Sequence, residues 1–505
     1  MGAGPLSARV AALCAESGPR LVGAARSNVA DVQRRLGEPL RVAIAGRLKS
    51  GKSTLVNSLI GRRVAQTEVG ECTRLVTQFR YGTSDRVDVV RRDNSRSSLP
   101  LDESGMIPAK LGVPRDEIAY VDVTLTSDRL RDLTVVDTPG LSSTNTSISD
   151  EARRFLFNEA PLDDDIDDDS AGALSGAEAI VYVFTQSVRE DDVAALEAFR
   201  TMSSRLSSNP INSLGLFNKV DKLTGSGDPW PVAGPLAAAQ GKMLRRVVSD
   251  VVPVIGLLAE TTEAGRLTAA DCEALRAVAS LPDTDRQVLL ASVDLFAARD
   301  CPVSREQRER LLRLLDLYGV SFAVAQLVGE PQLATGDLVR RLFLASGFPR
   351  ARATLEQAFR WRTDAIKAGW ALASLEKVAG HAERPGDREL LRDAVERVLQ
   401  QPEYHRLRML DVAQQVTTGA VDLPDEMENE LTRLALSDDP AWILGMTGAT
   451  IDQLAQAALA AATRWRAFAV AGASPAQARI AHVVHRGFYL LSQQVRTHPP
   501  TQPAR

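Results

Sequence analysis

With 505 residues the chain exceeds what one hydrophobic core organises, so two or more domains are expected. A net charge of −4 argues against a nucleic-acid binder that works through a basic surface. The 44% hydrophobic and 25% charged residues are the balance of an ordinary globular protein, and with only 5% aromatics its cores must be built mainly from aliphatic side chains. Cys14, Cys72, Cys272 and Cys301 form no close pair, so neither a disulfide framework nor a zinc site is suggested and a reducing cytosol fits. No secretory signal, myristoylation motif or uncharged apolar run of spanning length is read, so any membrane contact is expected to be peripheral.

In chain order, Leu6, Val10, Leu13, Val29, Val32 and Leu36 fall mostly at helical spacing, with Gly18-Pro19 as a break. From Leu40 the pattern alternates between strands and helices. Leu40–Ala45, Leu75–Tyr81, Tyr120–Leu125, Leu133–Val136, Ala179–Phe184, Leu214–Phe217 and Val251–Ile255 read as strands, which predicts an α/β domain with a mainly parallel sheet. Asp163–Asp169 holds six carboxylates without the glycine or spacing of a calcium loop, and is expected to be a solvated loop. Beyond residue 260 nearly everything has helical periodicity, so an α/β head followed by an all-helical neck and trunk bundle is expected.

The chemistry begins at Gly46-Arg47-Leu48-Lys49-Ser50-Gly51-Lys52-Ser53-Thr54, a P-loop between a strand and a helix. Its backbone N–H groups and helix N-terminus suit phosphate oxygens, with Lys52 reaching the β- and γ-phosphates and the Ser53 hydroxyl on Mg²⁺. Asp137-Thr138-Pro139-Gly140 follows a strand, placing a carboxylate near Mg²⁺ and a glycine N–H against the γ-phosphate. Asn218-Lys219-Val220-Asp221 is the base reader. Its Asp221 carboxylate accepts from the N1–H and 2-amino group of guanine, a donor pair that adenine lacks. The Lys219 stem would cover the ring, and Asn218 would tie the base loop to the P-loop. Thr73 is the expected switch threonine and Mg²⁺ ligand, with Thr67 as its competitor. Val254-Ile255-Gly256 is a weak fifth guanine motif, without the small polar residue expected there.

These motifs, together with Thr73-Arg74, Leu315–Val320 and Arg464-Trp465-Arg466, resemble those of bacterial dynamin-like GTPases, and of the isoniazid-inducible dynamin-like proteins in particular. The resemblance implies GTP hydrolysis to GDP and phosphate, head dimerisation, and membrane remodelling by fission, fusion or repair. It also implies a peripheral place on the inner face of the cell membrane, self-association through the heads, and action alone or with a second dynamin-like paralogue. Domain boundaries follow: 1–38 an N-terminal helical segment packing on the neck, 39–362 the GTPase domain with a helical insertion at about 260–345, 363–496 the neck and trunk, and 497–505 a tail. Lys49 stands where guanylate-binding relatives carry an arginine finger, so it is expected to supply the transition-state cation, with a solvent-facing lysine as the alternative.

Trp442, Ile443 and Leu444, in a Pro/Gly-bounded connection, are the candidates for lipid contact at headgroup level, against a buried helix connection. Arg464–Phe468 reads as helix packing, and His482 with His485 as surface or packing residues. The alternative reading of the whole is a GTP-gated scaffold whose helical region binds a protein. No nucleic-acid partner is expected.

Overall fold

The computed structural model describes residues 4–47, 49–66, 75–138, 177–186, 188–189, 192–193, 196, 212–224, 227–245, 247–356, 359, 362–417, 421–437 and 439–497. Two compact units are defined. One runs from Gly37 to Ile366, and the other joins the chain up to Leu36 with the chain from Lys367 onward.

The first unit is built on a sheet of nine strands among the described residues. These are β1 Leu40–Gly46, β2 Thr77–Tyr81, β3 Arg86–Arg91, β4 Arg96–Leu99, β5 Ile118–Leu125, β6 Leu133–Asp137, β7 Ala179–Phe184, β8 Ser213–Asn218 and β9 Val251–Val254, in the order β4-β3-β5-β2-β6-β1-β7-β8-β9. The strands from β6 through β1, β7 and β8 to β9 pair parallel, as near-continuous apolar runs covered on both faces should. Alternation along β1 sends Val42 and Ile44 into a core shared with Leu55, Val135 and Phe348, and Ala43 and Ala45 into one shared with Leu258, Leu275 and Leu311.

The β3–β4 hairpin is absent from the sequence reading. Its edge strand Arg-Ser-Ser-Leu carries no apolar alternation, and β3 buries Asp88, which accepts from Arg86 Nε at 2.9 Å and Ser98 Oγ at 2.5 Å. The helical insertion also differs in detail. Its continuous helical periodicity is broken there into two short helices, Asp283–Leu289 and Val293–Ala298, because Ser292 caps the second by accepting from Leu295 N.

Arg305–Gly329 is long and apolar enough by composition to cross a membrane, which the sequence reading did not anticipate. Leu311, Leu314, Leu315, Val320 and Val324 bury it in the core of its unit, so packing accounts for its apolar character. Its helical path breaks at Asp316, where φ is 55° and ψ 178°.

In the second unit the helices Pro402–Thr417, Asp425–Leu436, Ile451–Val470 and Pro475–Thr497 enclose a core around Met409, Leu431, Trp465, Val484 and Phe488. The N-terminal helices are tied in by polar contacts. Tyr404 donates its hydroxyl to Leu6 O at 2.8 Å, Lys367 Nζ donates to Arg35 O at 2.8 Å, and the Arg35 guanidinium lies 3.9 Å from the Trp370 ring centroid. Trp465 is fully buried and donates its Nε1–H to Glu430 at 2.8 Å, and His485 bonds to Ala462 O at 2.8 Å.

The expected lipid-contact set is corrected here. Pro440–Leu444 is a short helix capped by Asp439 rather than an open loop, and its turn directs Ile443 into the core at 2% exposure. Leu444 packs half-buried beside it, and Trp442 alone of the three is exposed, at 48%.

Candidate functional site

The P-loop forms because its glycines hold conformations and spaces closed to other residues. Gly46 has φ 145°, and a Cβ there would lie 2.1 Å from the Val183 carbonyl oxygen on the neighbouring strand. The chain then turns, with Ser50 N donating to Arg47 O and Lys49 at φ 62°, and enters the helix Lys52–Ile60 through Gly51 at φ 91°. The first N–H groups of that helix have no intrahelical acceptors and face the loop. Lys52 is buried and donates its ammonium to Gly46 O at 3.2 Å and Arg47 O at 3.0 Å. Burial holds its pKa below the ordinary lysine value, opposed by the charge of Asp137. Lys49 is exposed. Thr54 occupies the first turn of the helix, where its carbonyl accepts from Ser58 Oγ.

Asp137 reaches this loop through sheet register, since parallel pairing of β1 with β6 sets it beside Ile44. Ser53 Oγ donates to Asp137 Oδ2 at 2.8 Å. Burial pushes the Asp137 carboxyl up to about 6, against the lowering effects of Lys52, the Ser53 hydroxyl and the Thr138 N–H. Its other oxygen, Oδ1, is buried without a hydrogen-bond partner among the described residues. An orphaned carboxylate oxygen beside a serine hydroxyl is a hard-oxygen donor set, so these residues fit Mg²⁺. Thr73, its competitor Thr67, and Gly140 lie outside the described residues, as does Asp163–Asp169.

Asn218, at the end of β8, is where the base loop meets the P-loop. Its Nδ2 donates to Ser50 O at 2.8 Å, and its Oδ1 accepts from Gly256 N at 2.9 Å and Lys219 N at 2.8 Å. Lys219 has φ 61°, and its ammonium donates to the Lys49 carbonyl at 2.8 Å, drawing its aliphatic stem across the mouth of the loop. Asp221 is 6% exposed, and burial is the main cause that raises its carboxyl above the usual range. Sequence separates these groups widely; the sheet brings Gly46–Thr54, Asp137 and Asn218–Asp221 together.

Several contributors escaped sequence reading. The Arg47 guanidinium grips Asp192 with Nε at 2.9 Å and Nη2 at 2.7 Å, and Asp192 also accepts from the Tyr182 hydroxyl at 2.5 Å. Asn57 clamps the chain beyond the P-loop helix by accepting from Val64 N and Ala65 N while donating to buried Glu260 at 2.7 Å. Neither has a local motif, because Arg47 with Asp192 and Asn57 with Glu260 pair segments far apart in sequence. Gly256 was legible as part of the weak fifth motif, and its contribution is the N–H that fixes Asn218. A Cβ at Gly256 would stand 2.9 Å from Asn218 Oδ1.

A mainly parallel sheet, a P-loop at the end of its central strand, and a serine–aspartate pair beside it together define a nucleotide site of the P-loop class. Residues 42–197 match the Dynamin family model. The chain is 31% identical over 440 residues to the isoniazid-induced protein IniC of Mycobacterium tuberculosis, covering 86% of this chain and 85% of that one. It is also 29% identical over 162 residues to a bacterial dynamin-like protein of Nostoc punctiforme, over 29% of this chain and 20% of that one. A solved structure described as an oligomerised bacterial dynamin pair, for long-range sensing and tethering of membranes, aligns over 97% of this chain and 90% of that one. Its identity is 12% and its TM-score 0.34. The chain belongs to the dynamin family, as a dynamin-like protein of the IniC type, and is a GTPase, a hydrolase.

Proposed function

We propose that this chain holds GTP between Gly46–Thr54 and Asn218–Asp221, hydrolyses it to GDP and phosphate, and couples turnover to pairing of its GTPase units and to work on a membrane. What carries the reading is the convergence at Ser50 and Ser53 of two partners, Asn218 and Asp137, that come from the ends of different strands. Lys52 would exchange its carbonyl acceptors for phosphate oxygens. Ser53 and Asp137, with Thr73, would hold Mg²⁺, which when bound neutralises charge on the phosphates. Asp221 would accept from the guanine N1–H and 2-amino group while the Lys219 stem covers the ring. Phosphate release from GTP and ATP tests this directly. Asp221→Asn should shift preference from guanine to xanthine nucleotides, since an amide can donate to the 2-oxo group of xanthine where a carboxylate cannot. Retained guanine preference in that variant would overturn the assignment of the base reader.

Lys49 is assigned the transition-state cation when two GTPase units meet, and its exposure on the P-loop supports this. Lys49→Ala should abolish the concentration-dependent rise in turnover while leaving GDP affinity intact. An unchanged rise would leave Lys49 a solvent-facing residue.

The alternative, a GTP-gated scaffold whose helical unit binds a protein, draws support from buried Ile443, which leaves Trp442 as the exposed apolar residue of its short helix. Flotation with liposomes of anionic and neutral lipids, with and without GTP, separates the two. Membrane work, placed at the inner face of the cell membrane and done either alone or with a second dynamin-like paralogue, requires flotation in at least one nucleotide state.

A further inference from the structure

Strain in this molecule gathers around the base loop. Among the described residues four non-glycines have positive φ, and two of them, Lys49 and Lys219, join the P-loop to the base loop. A third is Asp316, from the helical insertion, whose φ of 55° and ψ of 178° border a region kept almost wholly for glycine. A residue persists there only where its surroundings over-determine it.

The Asp316 carboxylate makes two contacts. Oδ1 accepts from the Leu317 N–H at 2.7 Å, and Oδ2 accepts from Lys222 Nζ at 2.5 Å. Lys222 follows Asp221 directly, and its ammonium stands 3.9 Å from Asp221 Oδ2. The lysine is therefore hydrogen-bonded to Asp316 and only electrostatically engaged with Asp221. Its side chain is 56% exposed, so it has room to swing, whereas the Asp221 side chain is buried and attracts any cation within reach.

We infer that Asp316 is a positioning residue for base recognition: it holds the Lys222 ammonium off the Asp221 carboxylate and so keeps both Asp221 oxygens open to the two N–H donors of guanine. The inference rests on Asp221 being the base reader. Together Lys222 and Asp316 are neutral beside Asp221. Removing Asp316 alone leaves a lysine that closes on the acceptor guanine needs, while removing both leaves Asp221 open again.

Calorimetric titration of the full chain with GDP and with ADP, in the presence of Mg²⁺, tests this. Asp316→Asn should weaken GDP binding about tenfold, the size of one lost charge-assisted hydrogen bond, and reduce the preference for GDP over ADP. Asp316→Asn combined with Lys222→Met should recover GDP affinity to within about twofold of the starting protein. Unchanged GDP affinity in the single variant, or no recovery in the double, would overturn the inference, because a merely structural Asp316 is not rescued by removing a lysine. If the asparagine variant does not fold, Asp316→Gly, which that backbone admits without strain, carries the same comparison. Asp221→Ala reports separately: if it keeps the preference for GDP, the base reading itself fails. If it loses the preference while Asp316→Asn keeps it, only the inference about Asp316 fails.

Discussion

Asn218 donates its side-chain N–H to the carbonyl of Ser50 at 2.8 Å, fastening the base loop to the phosphate loop. The contact exists because Gly51 has no side chain: a Cβ there would lie 2.4 Å from Asn218 Nδ2. Gly51→Ala should therefore weaken GDP binding at least tenfold, through this clash and through its φ of 91°. Asn218→Ala leaves the Ser50 carbonyl and the Gly256 N–H without their partner, and should cost on the order of 1–3 kcal/mol of stability as well. Calorimetric titration and urea denaturation read the two effects.

Asp316 should show a conflict between stability and function. Its backbone strain costs on the order of 1–3 kcal/mol, and its partly exposed ion pair with Lys222 returns at most about 1 kcal/mol. Asp316→Gly should raise the unfolding midpoint while lowering the preference for guanine nucleotides. A destabilised glycine variant would show that the conformation is not strained.

The short helix at Pro440 separates a core residue from a surface one. Ile443→Ala should destabilise the protein by about 2–4 kcal/mol, since Ile443 is packed among Leu454, Trp465 and their neighbours. Trp442→Ala should change stability by less than about 1 kcal/mol and reduce any liposome flotation. Thermal melts and flotation of both variants check the pair.

His405 gives the helical unit a dependence on acid. Burial first, then Arg486 and Arg408, lower its pKa from 6.5 to about 4, and its Nε2 is buried without a hydrogen-bond partner among the described residues. The folded state therefore favours neutral imidazole, whereas the unfolded chain takes up a proton near pH 6.5. Its contribution is full above that pH and is lost as pH falls towards about 4, by on the order of 1–3 kcal/mol. One of the five histidine resonances should stay untitrated down to about pH 4, and His405→Leu should flatten the pH dependence of urea midpoints.

How legible the site was depended on how local its chemistry is. Gly46, Gly51, Lys52 and Ser53 are contiguous because a phosphate cradle is a run of consecutive backbone conformations, and only glycine supplies some of them. Asp137 and Asn218–Asp221 were readable because each ends an apolar run that can only be a buried strand, and parallel sheets collect their loops at one edge. The β3–β4 hairpin was not, since a polar edge strand lacks the alternation that marks its kind. At Ile443 lipid contact and a buried helix connection were both open for a related reason: proline and glycine on either side fit a loop and a capped helical turn equally well, and only the turn sends one apolar residue inward.

The amino-acid sequence by itself determined the α/β class of the first unit, the helical character of the second, and the residue types that a guanine nucleotide and Mg²⁺ require. Tertiary structure decided which distant groups tune them. Asp192 grips Arg47 across 145 residues of chain, and Asp316 takes Lys222 across 94. Such pairs leave no mark in local pattern, because an ion pair constrains where two side chains meet in space and not how far apart they lie in sequence.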